Sequence, residues 1–118
     1  MKRDLLGWHK GRALEWFGGD EGLLREMCQI FLEESPKLLK RLREGLETGD
    51  PEEVMVAAHT LAGELIYLEA APALDAAKQL EGMGRQRDLV QAAEILALLE
   101  KEVANLHLCL KNAKGKPQ

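Results

Sequence analysis

The sequence has few aromatic residues and few cysteines, and each shortage excludes a class of protein. Its 118 residues include two Trp, one Tyr and two Phe. Its two cysteines, Cys28 and Cys109, lie far apart and lack the ligand spacing of a zinc site. We therefore expect neither a disulfide-stapled domain nor a metal centre, and we expect both thiols to be reduced and buried.

Long apolar runs and an excess of basic charge are also missing. No stretch approaches the roughly 20 apolar residues that a membrane-spanning helix needs. The opening segment "MKRDLLGWHKG" has no apolar run long enough for a signal peptide. The net charge is −4, which argues against nucleic-acid binding because phosphate neutralisation requires a basic surface. We expect a cytoplasmic protein that contacts neither membrane nor nucleic acid.

Strand patterns are absent, and the residues that dominate the chain are good helix formers. Alternating apolar and polar residues are not found, while Ala, Leu, Glu, Lys and Arg are abundant. Asp20 and Asp50 are predicted N-caps, with Pro51 in the first helical position and Glu53 completing a capping box. Asp88 is the predicted cap of the last helix. The predicted helices lie near 9–17, 20–47, 51–68, 72–83 and 88–110.

The segment "ESP" at 34–36 leaves two interpretations open. Ser35 could cap a new helix that begins at Pro36, or Pro36 could kink one long helix. We favour the kink, because the apolar face continues from Leu32 to Leu39 across the proline. Short links between long amphipathic helices imply antiparallel neighbours. The predicted fold is all-α, an antiparallel up-down four-helix bundle with a short N-terminal helix. It forms a single domain over residues 1–110, followed by a polar tail at 111–118, and nothing in the sequence demands more than a monomer.

One histidine, His59, lies in the middle of the predicted helix 51–68. Because successive helical residues turn by about 100°, His59 falls about 140° from Val54, which is on the apolar face. The imidazole is therefore predicted to point away from the core. The predicted core face comprises Val54, Ala57, Ala58, Leu61, Leu65 and Leu68.

The residues around His59 on the helix are small or apolar instead of charged. A solvated face normally carries Lys, Glu or Arg, and a mid-helix glycine costs roughly 1 kcal/mol relative to alanine. A close approach by another surface would explain both features. We predict that a second protein docks here, on a patch formed by Glu52, Met55, Ala62, Gly63 and Ile66.

An alternative interpretation covers this patch from within the chain. The N-terminal segment carries Trp8, Trp16 and Phe17, which need an apolar surface to pack on. If they packed over His59, the histidine would be an incidental boundary residue. For the aromatic residues themselves, packing at the open end of the bundle is the favoured interpretation. His107 is predicted to be half-buried at the edge of the last apolar stripe, with a satisfied structural role.

The order of these segments resembles the histidine phosphotransfer (HPt) domains of bacterial multistep phosphorelays. The likeness covers about residues 8 to 108 and includes "GGDEGLL", "FLEESPKLLKRLREGL", "GDPEEV", "AAHTLAG" and "LDAAKQLE". The resemblance implies a four-helix bundle whose exposed histidine accepts a phosphoryl group from an aspartyl phosphate on a receiver domain. His59 is the position that matches the phosphorylated histidine. The implied partners are response-regulator receiver domains and a hybrid histidine kinase.

The chain departs from the family pattern after the histidine. The family usually has lysine three residues later, where this chain has Ala62, and a glycine ten residues later, where it has Glu69. Glu64 and Ile66 stand where small or polar residues are usual. The missing lysine removes a cation from beside the phosphoryl group, which would slow transfer unless the receiver supplies one.

Two functions are therefore expected from this sequence. The first is a phosphoryl carrier on His59, which is neither an autonomous kinase nor a hydrolase and needs no cofactor or metal of its own. The second is a helical interaction module that is not phosphorylated and that binds and blocks a receiver domain or histidine kinase through the same patch.

Overall fold

Five helices form the part of the chain that the structure describes. The structure is a computed structural model covering residues 8–115, with the side chains of residues 8–111. The all-α prediction and the predicted helix order are both confirmed. The helices are α1 (Lys10–Glu15), α2 (Glu21–Thr48), α3 (Pro51–Leu68), α4 (Ala71–Gln86) and α5 (Ala92–Gly115).

Helix α2 is one continuous helix that contains Pro36, so the interpretation without a break is confirmed. Its N-cap is Asp20, whose side chain accepts a hydrogen bond from the backbone N–H of Leu23 at 3.1 Å. The neighbouring Ser35 is fully buried, and its hydroxyl lies 2.7 Å from Nε2 of His107 on α5. Burial lowers the pKa of His107, which favours the neutral ring that can accept this hydrogen bond. The predicted structural role of His107 is confirmed.

The turn between α2 and α3 is built as the sequence predicts, with one exception. Gly49 adopts the left-handed conformation (φ 67°) that ends α2. Asp50 accepts the backbone N–H of Glu53 at 3.2 Å, and Pro51 opens α3. The prediction of a full capping box is wrong, because the Glu53 carboxylate is held by Arg41 through two hydrogen bonds of 2.7 and 3.1 Å. An ion pair between α2 and α3 takes the place of the second half of the capping box.

The break predicted between the helices near 72–83 and 88–110 is also displaced. Helix α4 continues through Gly82 and Gly84 and ends at Gln86. Asp88 caps a turn through the backbone N–H of Val90 at 3.2 Å, so the prediction that it caps the last helix is wrong. The last helix begins at residue 92 and runs to residue 115, into the segment predicted as a polar tail. Residues 1–7 and 116–118, the last three of that tail, lie outside the described residues.

The four long helices pack around one shared apolar core, and each contacts two of the others. Helix α3 contacts α2 and α4, and α5 contacts the same two helices from the other side. Short α1 contacts α2 and α3, and the buried indole of Trp8 donates a 2.6 Å hydrogen bond to the carbonyl oxygen of Leu68. Neither cysteine forms a disulfide within the described residues, and both are buried, as predicted. The largest fully buried side chains include Phe31, Leu42, Leu61, Leu65, Leu80, Leu99 and Leu110.

None of the helices within residues 8–115 has the length and apolar character needed to cross a membrane.

Candidate functional site

Helix α3 presents His59 to solvent from its middle. The side chain of His59 is 75% exposed, so its predicted outward orientation is confirmed. The described part of the N-terminal segment, from residue 8 on, does not cover it: Trp16 packs edge-on against Tyr67, two helical turns further along α3, with ring centroids 5.2 Å apart. Phe17 also faces Tyr67. The alternative in which these aromatic residues bury His59 is therefore wrong.

An exposed stripe runs along α3 on both sides of the histidine. Its members recur at three- or four-residue steps, which places them on one helix face. Two of them, Val56 and Tyr67, are large and exposed, and the sequence analysis did not include them in the patch. Their spacing from His59 was the signal that could have identified them. The stripe consists of Glu52, Val56, His59, Gly63 and Tyr67.

The predicted docking patch is only partly exposed. Glu52 and Gly63 are exposed, and Met55 and Ile66 are half-buried. The prediction that Ala62 lies on this surface is wrong, because its side chain is only 4% exposed. Helix α3 has neighbours on both flanks, so it buries a wider arc than a helix with a single core-facing side. The small alanine lies within that arc, on the same flank as Met55 and His59.

Gly63 meets no other part of the described chain. A Cβ atom added there would have nothing within 4 Å. No described residue therefore makes the close approach that we invoked to explain this glycine. An external partner remains the prediction for this position.

Helix α4 supplies the group that holds the imidazole. Nδ1 of His59 lies 2.8 Å from Oε2 of Glu81. A carboxylate can only accept, so the neutral ring carries its proton on Nδ1 and donates it to Glu81. That tautomer leaves Nε2 unprotonated, with its lone pair available to an incoming group. The hydrogen bond therefore fixes both the orientation of the ring and the identity of its reactive nitrogen.

Glu81 is kept ionised by its two partners. Its side chain is only 14% exposed, and this burial raises its pKa. The hydrogen bonds from His59 and Arg85, together with their charges, outweigh burial and hold the pKa of Glu81 below its ordinary value. Arg85 Nη2 donates to the same oxygen, Oε2, at 2.8 Å. One carboxylate oxygen thus bonds both the guanidinium and the imidazole.

Sequence reasoning missed both α4 residues. Glu81 lies 22 positions after His59, and nothing local to either residue predicts that they meet. The four-residue spacing of Glu81 and Arg85 does predict an ion pair on one helix face, but it does not indicate which helix that face adjoins.

The backbone explains why α4 lies so close to α3 here. At Gly84, an added Cβ would lie 2.6 Å from the carbonyl oxygen of Pro51 and 2.7 Å from the backbone nitrogen of Met55. Only glycine permits such an approach without displacing one helix. Gly84 lies three residues after Glu81, so this crossing point positions Glu81 beside the histidine.

Glu69 explains one of the departures from the family pattern. It ends α3 in the left-handed conformation, with φ 55°, which is where glycine costs least. Its carboxylate accepts a 2.7 Å hydrogen bond from the indole N–H of Trp16 and lies 4.0 Å from Arg12. Glu69 therefore holds α1 against the end of α3, at a position where glycine would adopt the left-handed conformation at lower cost.

Among the described residues, no group of three or more His, Cys, Asp or Glu side chains could hold a metal ion. The chemistry that this site offers is that of an oriented nucleophile beside a carboxylate and an exposed guanidinium.

The fold and the site together define a helical bundle with an exposed histidine at the middle of α3, held by a carboxylate on α4. The model of the Hpt domain family matches residues 26–108, which is more than half of the chain, so the chain belongs to that family. Its members are the histidine phosphotransfer domains of phosphorelays.

Comparison with solved structures gives the same fold. The chain is similar to histidine-containing phosphotransfer protein B (HptB) from Pseudomonas aeruginosa PAO1, with a TM-score of 0.85 and 20% sequence identity. The similarity covers 94% of this chain and 96% of that one. A search of curated proteins finds no match.

Proposed function

We propose that this protein carries a phosphoryl group on Nε2 of His59 between the aspartyl phosphates of receiver domains. The observation that supports this most directly is the hydrogen bond from His59 Nδ1 to Glu81, which leaves Nε2 unprotonated on an exposed ring. A neutral imidazole with a free lone pair is the nucleophilic form.

The transfer balances without a separate base. Nε2 of His59 attacks the phosphorus of the acyl phosphate, and a nitrogen–phosphorus bond forms as the phosphorus–oxygen bond to the receiver aspartate breaks. The aspartate leaves with the electron pair of that bond, so it needs no proton. The imidazole becomes cationic while keeping its proton on Nδ1, and the adjacent Glu81 carboxylate stabilises the new charge. Transfer to the next receiver reverses these steps.

The receiver is proposed to dock on the exposed stripe around His59 and on the neighbouring patch residues. Glu52, Met55, Gly63 and Ile66 remain in the proposed docking surface, while the buried Ala62 is left out of it. Gly63 lies four residues after His59 and leaves open space above the backbone. A receiver can therefore approach the imidazole closely from that side. We further propose that the protein acts as a cytoplasmic monomer with a hybrid histidine kinase upstream.

The proposal is tested by phosphoryl transfer from labelled receivers. Receiver domains labelled with a small acyl phosphate are mixed with the protein and with the His59→Gln variant. We expect label on the wild-type chain that is stable to base and lost in acid, and none on His59→Gln. Tight binding of the receiver without any label would overturn the carrier and support the blocking module instead.

Replacement of Glu81 by alanine is expected to slow transfer without unfolding the bundle. The variant loses a charge-assisted hydrogen bond that orients the ring and stabilises its positive charge. Allowing for the exposure of His59, the loss is about 1–2 kcal/mol, or about 5- to 30-fold in rate. Rapid-quench measurement of label transfer checks the rate, and circular dichroism checks the fold. Glu26→Ala, which removes an exposed carboxylate from α2, is the matched control; an equal effect there would contradict the role of Glu81.

A further inference from the structure

Oxygen Oε2 of Glu81 holds the imidazole and a cation at the same time. It accepts Nδ1–H of His59 at 2.8 Å and Nη2–H of Arg85 at 2.8 Å. Glu81 is the only hydrogen-bonding or ion-pair partner of Arg85 in the described part of the chain. The Arg85 side chain is 62% exposed, so its guanidinium is free to turn about its flexible stem.

A phosphoryl group on His59 brings a negative charge of about −1.5 to −2 to a surface that has no cation of its own on α3. The α3 residues one turn before and one turn after the histidine are Met55, Ala62 and Gly63, and none of them is charged. On α2, Arg41 is committed to Glu53, and Lys37 is paired with Glu34. On α4, Arg85 bonds the same carboxylate oxygen that holds the imidazole, so it is the cation that these hydrogen bonds place beside His59.

The direction of the side chains favours Arg85 over Lys78, the other cation on this face of α4. Helical side chains lean towards the N-terminus of their own helix. The ring of His59 therefore leans towards Met55, one turn earlier. At Gly84, α4 lies against the backbone of Pro51 and Met55. The imidazole thus leans towards the end of α4 that carries Arg85 and away from the end that carries Lys78.

We propose that Arg85 is the cation that holds the phosphoryl group on His59. When Nε2 is phosphorylated, the guanidinium exchanges Oε2 of Glu81 for the phosphoryl oxygens, which match its planar donors. Glu81 is then left to the imidazolium Nδ1–H alone. This inference rests on the proposed phosphorylation of His59, and it assigns a positioning cation to a chain whose α3 has none.

The test measures the equilibrium of label between a receiver and this protein, together with the half-life of the phosphohistidine. Arg85→Gln keeps hydrogen-bond donors and removes the charge, whereas Arg85→Lys keeps the charge. Arg85→Gln is expected to shift the equilibrium about tenfold towards the receiver, and Arg85→Lys to recover part of that shift. Lys78→Gln, the matched loss of charge on the same face of α4, is expected to stay within about twofold of wild type.

The outcomes separate this inference from the proposed function. If the wild-type chain takes no label, the phosphoryl carrier itself is overturned. If the wild type is labelled and Arg85→Gln has the same equilibrium and half-life, the role of Arg85 is overturned while the carrier stands. Equal shifts in Arg85→Gln and Lys78→Gln would also overturn it, because they would reflect general charge instead of a contact with the phosphoryl group.

Discussion

Replacing Gly84 with alanine is expected to destabilise the bundle by about 2 kcal/mol. The new Cβ would lie 2.6 Å from the Pro51 carbonyl oxygen and 2.7 Å from the Met55 backbone nitrogen. Backbone atoms cannot move aside as a flexible side chain can, so α4 has to shift away from α3. Overpacking of this kind costs about 1–3 kcal/mol and occasionally more. The higher helix propensity of alanine returns up to about 1 kcal/mol of that cost.

Thermal unfolding followed by circular dichroism measures this effect. For a chain of this length, 2 kcal/mol corresponds to a fall in Tm of about 8 °C. Gly82→Ala is the matched control, because it lies in the same helix and its Cβ would meet nothing within 4 Å. That variant is expected to gain up to about 1 kcal/mol from helix propensity. A Gly84→Ala variant as stable as Gly82→Ala would contradict the close crossing of α3 and α4.

The same substitution has a consequence at the site. Glu81 lies three residues before Gly84 on α4, so an outward shift of α4 would lengthen the hydrogen bond between Glu81 and His59. Gly84→Ala is therefore expected to slow transfer in addition to lowering Tm, while Gly82→Ala leaves the transfer rate unchanged. A Gly84→Ala variant that loses stability but transfers at the wild-type rate would show that the crossing point does not position Glu81.

Replacing Glu64 with glutamine is expected to stabilise the protein above pH 7 and to have little effect at pH 4.5. One carboxyl oxygen of Glu64, Oε1, is buried without a hydrogen-bond partner in the described part of the chain. Burial, and then the negative charge of Glu34 on α2, raise the pKa of Glu64 to about 7. An ionised carboxylate at this position is therefore unfavourable in the folded state.

The direction of the effect follows from proton binding. Between an unfolded value near 4.5 and a folded value of about 7, the folded protein binds the Glu64 proton more tightly than the unfolded chain does. The contribution of Glu64 to the free energy of unfolding is therefore greatest below pH 4.5, falls as the pH rises to 7, and then levels off. The full shift would correspond to about 3 kcal/mol. Because the side chain is partly exposed, we expect about 1–2 kcal/mol.

Urea unfolding between pH 4.5 and pH 8 measures this dependence. The quantity to compare is the difference in unfolding free energy between Glu64→Gln and wild type, which should grow with pH by about 1–2 kcal/mol. Glu34→Gln is the control, because it removes only the second cause of the raised pKa and should flatten the dependence less. A difference between Glu64→Gln and wild type that stays constant with pH would rule out titration of Glu64 in this range.

Much of the site could be predicted from local sequence. Asp50 and Pro51 begin α3 as predicted, and the 100° turn per residue places His59 away from Val54 and Leu61. The glycines were harder to interpret. Gly63 was expected to mark a close approach and faces open space, whereas Gly84 was assigned to a break and makes the close approach. The sequence alone does not show whether a glycine within a helix faces solvent or packs against a neighbouring helix.

The remaining errors come from contacts between helices. The 100° turn per residue placed Ala62 near His59 on a surface expected to be exposed. Helical periodicity could not indicate that α3 has a neighbouring helix on each flank and that Ala62 is buried as a result. Glu53 was expected to complete a capping box within its own turn, and the facing Arg41 on α2 holds it instead. In both cases a partner from another helix decided the outcome.

The sequence by itself determined the order of the helices, the N-caps at Asp20 and Asp50 and the outward direction of His59, because these depend on propensity, hydrogen bonding within a turn and helical periodicity. Tertiary structure alone decided that Glu81 and Arg85 stand beside the imidazole. Their position depends on the distance between α3 and α4. That distance is short because Gly84 has no side chain, which lets its backbone approach the backbone of Pro51 and Met55.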